Sequence, residues 1–192
     1  MTSIFDQDGN SVPVTLVEAG PCVVTQVKTA DKDGYSAVQL GFGSAKKNNR
    51  PQMGHLKAAN ATPSFLREIR LSEINLEVGS QVGTDVFEAG DKVKIAGVSK
   101  GKGFAGTIKR HNFSRGPKSH GSKNYRKPGS IGSIFPMRVI KGLKMAGHKG
   151  AEQVTTRGLK IEQIVPEKNL LAIKGAVPGP NKGYLVIRGE HE

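Results

Sequence analysis

Short apolar runs separated by turn residues occupy the N-terminal part of the chain. Residues 12–18, 22–29 and 35–42 read VPVTLVE, CVVTQVKT and YSAVQLGF, and they are rich in β-branched residues that partly alternate with polar ones. Such runs are typical of strands with one buried face. Ala19-Gly20-Pro21 and the segment 31–34 lie between them and have the residues of tight turns. We therefore predict strands joined by hairpin turns.

The same pattern returns beyond residue 83. TDVFE and DKVKIAGV (91–98) flank a Glu88-Ala89-Gly90 turn, and LKIEQIV (159–165), LLAIKGAV (170–177) and YLVIR (184–188) follow much later. Strands of this length and spacing favour a small closed β-barrel.

Residues 44–78 form an ambiguous segment between these two groups of strands. GHLKAAN is compatible with a short helix, and SFLREIRLSEI fits a helix and an edge strand equally well. We treat 44–78 as an irregular or helical insertion of mixed structure.

The segment from Gly97 to Gly150 has neither the helical nor the strand period. Two interpretations are open for it: a disordered linker, or an arm that becomes ordered when phosphates neutralise its charge. The second is favoured because apolar side chains recur along it, which is unusual in linkers. These are Phe104, Ile108, Phe113, Tyr125, Ile131, Ile134 and Phe135.

Net charge makes the segment distinctive. The 192 residues have a formal charge of +13 and a pI near 10.0, which predicts polyanionic partners. Between Gly97 and Gly150 there are 13 Lys and Arg residues and no Asp or Glu, so the remaining 29 − 13 = 16 basic residues match the 16 acidic ones. One quarter of the chain therefore has all of the net charge.

Composition excludes several other classes of protein. The single cysteine, Cys22, rules out an intrachain disulfide and fits a reducing compartment. The acidic N terminus does not resemble a signal peptide, and no apolar run reaches the ~18 residues of a membrane span. The five histidines, His191 among them, show no metal-ligand spacing. We predict no catalytic site, no metal and no cofactor.

Gly101, Gly103 and Gly106 form a G-x-G-x-x-G motif within SKGKGFAGTIKR (99–110). A dinucleotide site would also need a helix after the motif and an acidic residue about 20 positions later for the ribose. The helix is doubtful, and no acidic residue occurs between Asp91 and Glu152. Phosphates of a larger polyanion explain the motif better, because glycines allow close backbone approach while Lys and Arg bind phosphate oxygens.

Aromatic side chains in the segment offer a second mode of contact. His111, Phe113, Tyr125 and Phe104 could stack on splayed bases of single-stranded or looped RNA, or could instead pack the arm onto the barrel.

Six blocks of the sequence together resemble one known family. They are DGNSVPVTLVEAGPCVVTQVKT, SKGKGFAGTIKRHNF, SHGS, PGSIG, KGLKMAGHKGAEQVT and NLLAIKGAVPGPNKG. In order and spacing they resemble the bacterial or organellar branch of the large-subunit ribosomal protein L3 family, over nearly the whole chain. The resemblance implies a mainly β fold: a closed six-stranded β-barrel of the translation-factor type with a long basic central extension.

The resemblance also implies a function. The chain would be a structural constituent of the large ribosomal subunit that binds near the 3′ end of its RNA, acts early in assembly and sends the extension toward the peptidyl transferase centre. Its partners would be large-subunit ribosomal RNA and neighbouring ribosomal proteins, with no membrane and no small-molecule substrate. Its location would be the ribosome of a bacterial cytoplasm or of an organelle.

When the family's features are carried over by position, the resemblance implies a barrel of residues 1–98 and 151–192. Residues 99–150 would then be the RNA-penetrating extension, and its part nearest the peptidyl transferase centre would be near 128–136. His148 stands where some bacterial members have a methylated glutamine, and His111 stands where the family usually has tryptophan in an Arg-Trp-Asn-Phe block. Family members also begin about ten residues before Met1, with a further strand.

The predicted RNA-binding residues are the cations of the extension and five of its glycines. The phosphate contacts are Lys100, Lys102, Lys109, Arg110, Arg115, Lys118, Lys123, Arg126, Lys127, Arg138, Lys141, Lys144 and Lys149. Close backbone approach is expected at Gly101, Gly103, Gly106, Gly129 and Gly132. Two other classes stay open: an enzyme acting on a nucleotide or RNA through 99–106, and a protein that compacts DNA or binds acidic membranes.

Overall fold

The computed structural model describes residues 1–71 and 74–190 of a mainly β protein. His191 and the two residues at 72–73 within SFLREIRLSEI lie outside the described residues. The strands are β1 (Thr2–Phe5), β2 (Ser11–Glu18), β3 (Cys22–Lys28), β4 (Ala37–Phe42), β5 (Phe65–Arg70), β6 (Gln81–Val82), β7 (Lys92–Val98), β8 (Phe104–Ala105), β9 (Gly147–His148), β10 (Gln153–Val165), β11 (Leu170–Lys174) and β12 (Leu185–Gly189). The helices are α1 (Ala30–Asp33), α2 (Arg50–Leu56) and α3 (Thr107–His111), with 3₁₀ turns at Lys57–Ala59, Thr84–Val86 and Pro166–Lys168.

The strands form three sheets. The largest has six strands in the order β1-β2-β11-β10-β7-β12, the second has four in the order β5-β4-β3-β6, and β8 pairs with β9 alone. Antiparallel registers such as Ile161↔Ile173 between β10 and β11, and Val38↔Ile69 between β4 and β5, fix which side chains share a face.

The predicted closed six-stranded β-barrel is wrong. A barrel needs every strand bonded on both sides, with a consistent tilt and stagger around the ring. Here the six-stranded sheet ends at β1 and β12, and the four-stranded sheet ends at β5 and β6. The described strands are divided among three sheets with their own edges, and β1 and β12 span only four and five residues. The fold is therefore mainly β with several open sheets.

Most individual strand predictions agree with the structure. The apolar runs at 12–18, 22–29, 35–42 and 91–98 correspond to β2, β3, β4 and β7, and the three C-terminal runs correspond to β10, β11 and β12. TDVFE is the exception, because Thr84–Val86 is a 3₁₀ turn in which the Phe87 amide donates to the Thr84 carbonyl at 3.1 Å.

Residues 44–78 contain one short helix and one strand. Helix α2 begins earlier than GHLKAAN suggests, because Asn49 and Gln52 form a reciprocal capping box and Pro51 lies in the first turn. The sequence SFLREIRLSEI left helix and edge strand open, and the structure shows the edge strand β5.

Two compact units divide the chain. Unit 1 comprises Met1–Ile95, Thr155–Val177 and Val186–Glu192, and unit 2 comprises Ala96–Val154 and Pro178–Leu185. The core of unit 1 is aliphatic. Its largest fully buried apolar side chains are Ile95, Ile161, Leu171, Ile173, Val14, Val24, Val38 and Val93. Among the described residues, no helix is long and apolar enough to span a bilayer.

A polar cluster lies on the four-stranded sheet of unit 1. Lys28 Nζ is 2.8 Å from Glu68 Oε1 and donates to the Tyr35 hydroxyl at 2.7 Å, while that hydroxyl donates to Glu68 Oε2 at 2.9 Å. The Arg70 guanidinium stacks 5.0 Å from the Tyr35 ring centroid. The hydrogen bond from Lys28 lowers the pKa of Glu68, and the same bond raises the pKa of Lys28.

We predict that replacing Ile161 with alanine destabilises unit 1 by about 2–5 kcal/mol, because the fully buried side chain leaves a cavity. Urea unfolding followed by circular dichroism measures the loss. Ile140→Ala is the matched control, since Ile140 is 62 % exposed and its truncation should cost under about 0.5 kcal/mol. Equal losses in the two variants would contradict the assignment of Ile161 to the core.

We also predict a pH-dependent contribution from Glu68. Because its pKa is lowered on folding, its stabilising effect is complete above the ordinary value of 4.5 and is lost as the pH falls through the lower folded value. Urea unfolding of wild type and Glu68→Gln should therefore differ at neutral pH and converge in acid. A difference that stays constant over this range would show that the Glu68 charge contributes nothing.

Candidate nucleic-acid interface

The two ends of the basic segment lie side by side in unit 2. The Ser99 amide donates to the Glu152 carbonyl at 2.9 Å, and the Lys102 amide donates to the Lys149 carbonyl at 2.8 Å. In return, the Lys149 amide donates to the Gly103 carbonyl at 2.9 Å, and β8 pairs with β9 immediately beyond. This backbone ladder closes the segment into a loop whose entry and exit are adjacent.

The G-x-G-x-x-G motif belongs to this ladder. Gly103 has a left-handed φ of +63°, and Gly106 precedes the five-residue helix α3. A helix therefore does follow the motif, although only for about one turn. The Lys102 amide is already bonded to a protein carbonyl, so it is not free to cradle a bound nucleotide.

Side-chain hydrogen bonds add a second set of contacts between α3 and residues 145–149. Arg110 Nη1 donates to the Met145 carbonyl at 2.9 Å, and His111 Nε2 lies 3.0 Å from the same oxygen. Because a carbonyl only accepts, His111 Nε2 is assigned the hydrogen. Lys149 Nζ donates to the Lys109 carbonyl in the opposite direction.

Residues 112–146 extend beyond this base without helix or strand. A local cluster forms around Tyr125: its carbonyl accepts from the Gly116 amide at 2.9 Å, and its hydroxyl accepts from Arg115 Nη1 at 3.3 Å. Lys118 Nζ lies 5.8 Å from the centroid of the same ring. Two of the predicted phosphate-binding cations therefore flank one aromatic ring.

The predicted cations divide into two groups by exposure. Arg110 and Lys149 are partly buried and have the protein partners described above. The other eleven are exposed: Lys100, Lys102, Lys109, Arg115, Lys118, Lys123, Arg126, Lys127, Arg138, Lys141 and Lys144. The two salt bridges found among the described residues, Lys28–Glu68 and Lys174–Glu162, involve none of them.

Comparison with known proteins identifies the family. Residues 68–169 match the family profile described as Ribosomal protein L3. The chain is 52 % identical over 192 residues to the large ribosomal subunit protein uL3 of Carboxydothermus hydrogenoformans, covering 98 % of this chain and 92 % of that protein. It is 54 % identical to uL3 of Syntrophobacter fumaroxidans, with the same coverage of both chains, and 52 % identical to uL3 of Geobacillus thermodenitrificans, with 98 % and 91 % coverage.

The chain belongs to the ribosomal protein L3 family. The resemblance found in the six sequence blocks is thus confirmed. Members of the L3 family are structural proteins, so the interpretation of the glycine motif as an enzyme's phosphate loop is set aside.

The glycines that were predicted to approach RNA have open surroundings with one exception. A Cβ built on Gly103, Gly106, Gly129 or Gly132 would meet no atom within 4 Å, whereas one on Gly101 would lie 3.7 Å from the Ala151 side chain. Sequence reasoning missed two other glycines, which allow close contacts where the two ends of the segment meet. Gly150 has a φ of +79° and would place a Cβ against the Lys100 carbonyl, and Gly147 would place one against the Arg110 guanidinium.

Large apolar side chains of the basic segment are strongly exposed. Ile134, Phe135 and Met137 expose 76–79 % of their surface, and Phe104 at the base exposes 80 %. Of the aromatic candidates for base stacking, Phe104 is therefore accessible, while His111 and Phe113 pack against each other with ring centroids 6.1 Å apart. Within the described part of the chain, no cluster of three or more His, Cys, Asp or Glu residues is arranged to hold a metal ion.

We predict that Gly150→Ala loosens the base of the arm. Alanine at a left-handed φ costs ~1–2 kcal/mol, and the new Cβ would also collide with the Lys100 carbonyl. Amide hydrogen exchange of Lys102 and Lys149, measured by NMR, should accelerate by about tenfold or more. Gly142→Ala is the control, because Gly142 has a similar φ of +84° but open surroundings. If both variants exchange at the wild-type rate, the ladder does not depend on Gly150.

Proposed function

We propose that this chain is a structural constituent of the large ribosomal subunit that binds large-subunit ribosomal RNA through residues 99–150. The observation that carries the proposal is the row of eleven exposed cations in a segment without any carboxylate. Membership of the L3 family supports the ribosomal assignment, and the relatives named above are bacterial, which indicates the cytoplasm.

The proposed division of the chain follows its charge. Residues 1–98 and 151–192, with the insertion 44–78, act as an electrically neutral body that sets the position of the protein on the subunit. Residues 99–150 act as the arm, which supplies most of the affinity for RNA. Each lysine or arginine that meets a phosphate releases condensed counterions, so the affinity comes with a steep salt dependence.

The arm has the composition of a segment that orders on binding. Its cations repel one another in the free protein, and its apolar side chains are too few and too exposed to form a core of their own. Phosphates relieve the repulsion, and Ile134, Phe135 and Met137 then gain contacts with bases or sugars. The open surroundings of Gly129 and Gly132 leave their backbone accessible to a nucleic-acid strand.

The finer placement of the arm is also a proposal. The blocks that resemble the L3 family favour an arm directed toward the peptidyl transferase centre, with residues 128–136 innermost, and a role early in subunit assembly. Neighbouring large-subunit proteins would be the further partners of the body.

We predict that Arg138, Lys141 and Lys144, all changed to glutamine, weaken binding to large-subunit ribosomal RNA and flatten its salt dependence. Three lost phosphate contacts should reduce the slope of log K against log salt by about 2 to 3. Filter binding at several salt concentrations measures this slope.

The matched control changes Lys46, Lys47 and Arg50 to glutamine, since they are three exposed cations outside the arm. A slope that falls equally in both triple variants would show that binding follows total charge and not the arm. Failure of the wild-type chain to co-sediment with large subunits at low salt would contradict the ribosomal assignment itself.

A further inference from the structure

Two of the thirteen cations of the segment differ from the others in what they contact. Arg110 donates to the carbonyl of Met145 at 2.9 Å, and Lys149 donates to the carbonyl of Lys109. The two bonds run in opposite directions between the same two stretches of chain, so each stretch supplies one cation and one carbonyl. Neither bond needs a phosphate.

His111 completes this arrangement. Its Nε2 lies 3.0 Å from the Met145 oxygen that Arg110 also contacts, so that carbonyl accepts from two donors. Lys149 meets a carbonyl in the last turn of α3, where a cation also compensates the unpaired carbonyls of the helix end.

Gly147 leaves the space that Arg110 occupies. A Cβ at this position would overlap Nη1 of Arg110, and the φ of Gly147 is not in the left-handed region. The absence of a side chain here is therefore needed for the guanidinium and not for the backbone. Strand β9 therefore leaves room for the Arg110 guanidinium because Gly147 has no side chain.

We propose that Arg110, His111 and Lys149 form a clamp that closes the base of the arm before any RNA is bound. In this arrangement Arg110 and Lys149 are positioning residues and the eleven exposed cations are the phosphate ligands. The clamp holds the two ends of residues 112–144 together, so less conformational entropy is lost when the arm orders on RNA. The part of this inference that concerns RNA affinity rests on the proposed function, whereas the clamp itself is a property of the free protein.

Gly147→Ala tests the clamp without changing any charge. The new methyl group displaces the end of the Arg110 side chain, which is flexible, and breaks its bond to Met145. In the free 192-residue chain, amide exchange of residues 145–149 should accelerate. Affinity for large-subunit ribosomal RNA should fall about fivefold, as expected for one lost hydrogen bond, with an unchanged salt slope.

Two controls separate positioning from charge. Gly132→Ala adds a methyl group in open surroundings of the same arm and should leave amide exchange at residues 145–149 unchanged. Lys141→Ala removes one exposed cation, so it should lower the salt slope by ~0.7–0.9 and leave exchange at the base unchanged. Exchange of the Ile161, Leu171 and Ile173 amides, whose residues are fully buried, reports in every variant that unit 1 is folded.

Arg110→Ala provides the result that could contradict the clamp. If it lowers the salt slope as Lys141→Ala does while exchange at 145–149 stays at the wild-type rate, Arg110 is a phosphate ligand and the clamp is wrong. The clamp is also wrong if Gly147→Ala and Gly132→Ala behave alike in exchange. Failure of the wild-type protein to bind the RNA would overturn the proposed function, and the exchange rates would still decide the clamp.

Discussion

Repulsion among thirteen cations that share one segment with no carboxylate is the constraint on which unit 2 depends. A chain with this charge pattern cannot neutralise itself, and the described residues provide no ion pair to any of the thirteen. The two ends of the segment are held together by bonds to neutral carbonyls, in the ladder between residues 99–103 and 149–152 and at the contacts of Arg110 and Lys149. Beyond this base, regular structure ends and the cations are exposed.

Unit 1 differs from unit 2 in its charge balance. Its acidic and basic residues are nearly balanced, its buried side chains are aliphatic, and its charged groups form local clusters such as Lys28, Tyr35 and Glu68. Stability therefore comes from a small core between paired strands, whereas the proposed affinity for RNA belongs to unit 2. A core mutation in unit 1 should consequently affect mainly folding. A mutation of an exposed cation in unit 2 should affect mainly RNA binding.

Some of this organisation follows from sequence and some does not. The paired strands on either side of Gly34, and the location of the net charge, follow from residue types within a short window. The hairpin predicted around Gly20 was wrong, because β2 and β3 lie in different sheets. Barrel closure was wrong because it depends on how edge strands such as β1 and β12 meet other strands, which a local pattern does not contain. The partners of Arg110 and Lys149 were missed for the same reason, since the Met145 and Lys109 carbonyls lie 35 and 40 residues away along the chain.

The central claim is that the exposed cations of the arm bind the phosphates of ribosomal RNA. Its most direct test is the salt dependence of binding between the wild-type chain and large-subunit ribosomal RNA. If all eleven contact phosphates, log K should fall with log salt with a slope of about −8 to −10. A slope of about −2 or shallower would show that most of these side chains remain in solvent, and it would contradict the account.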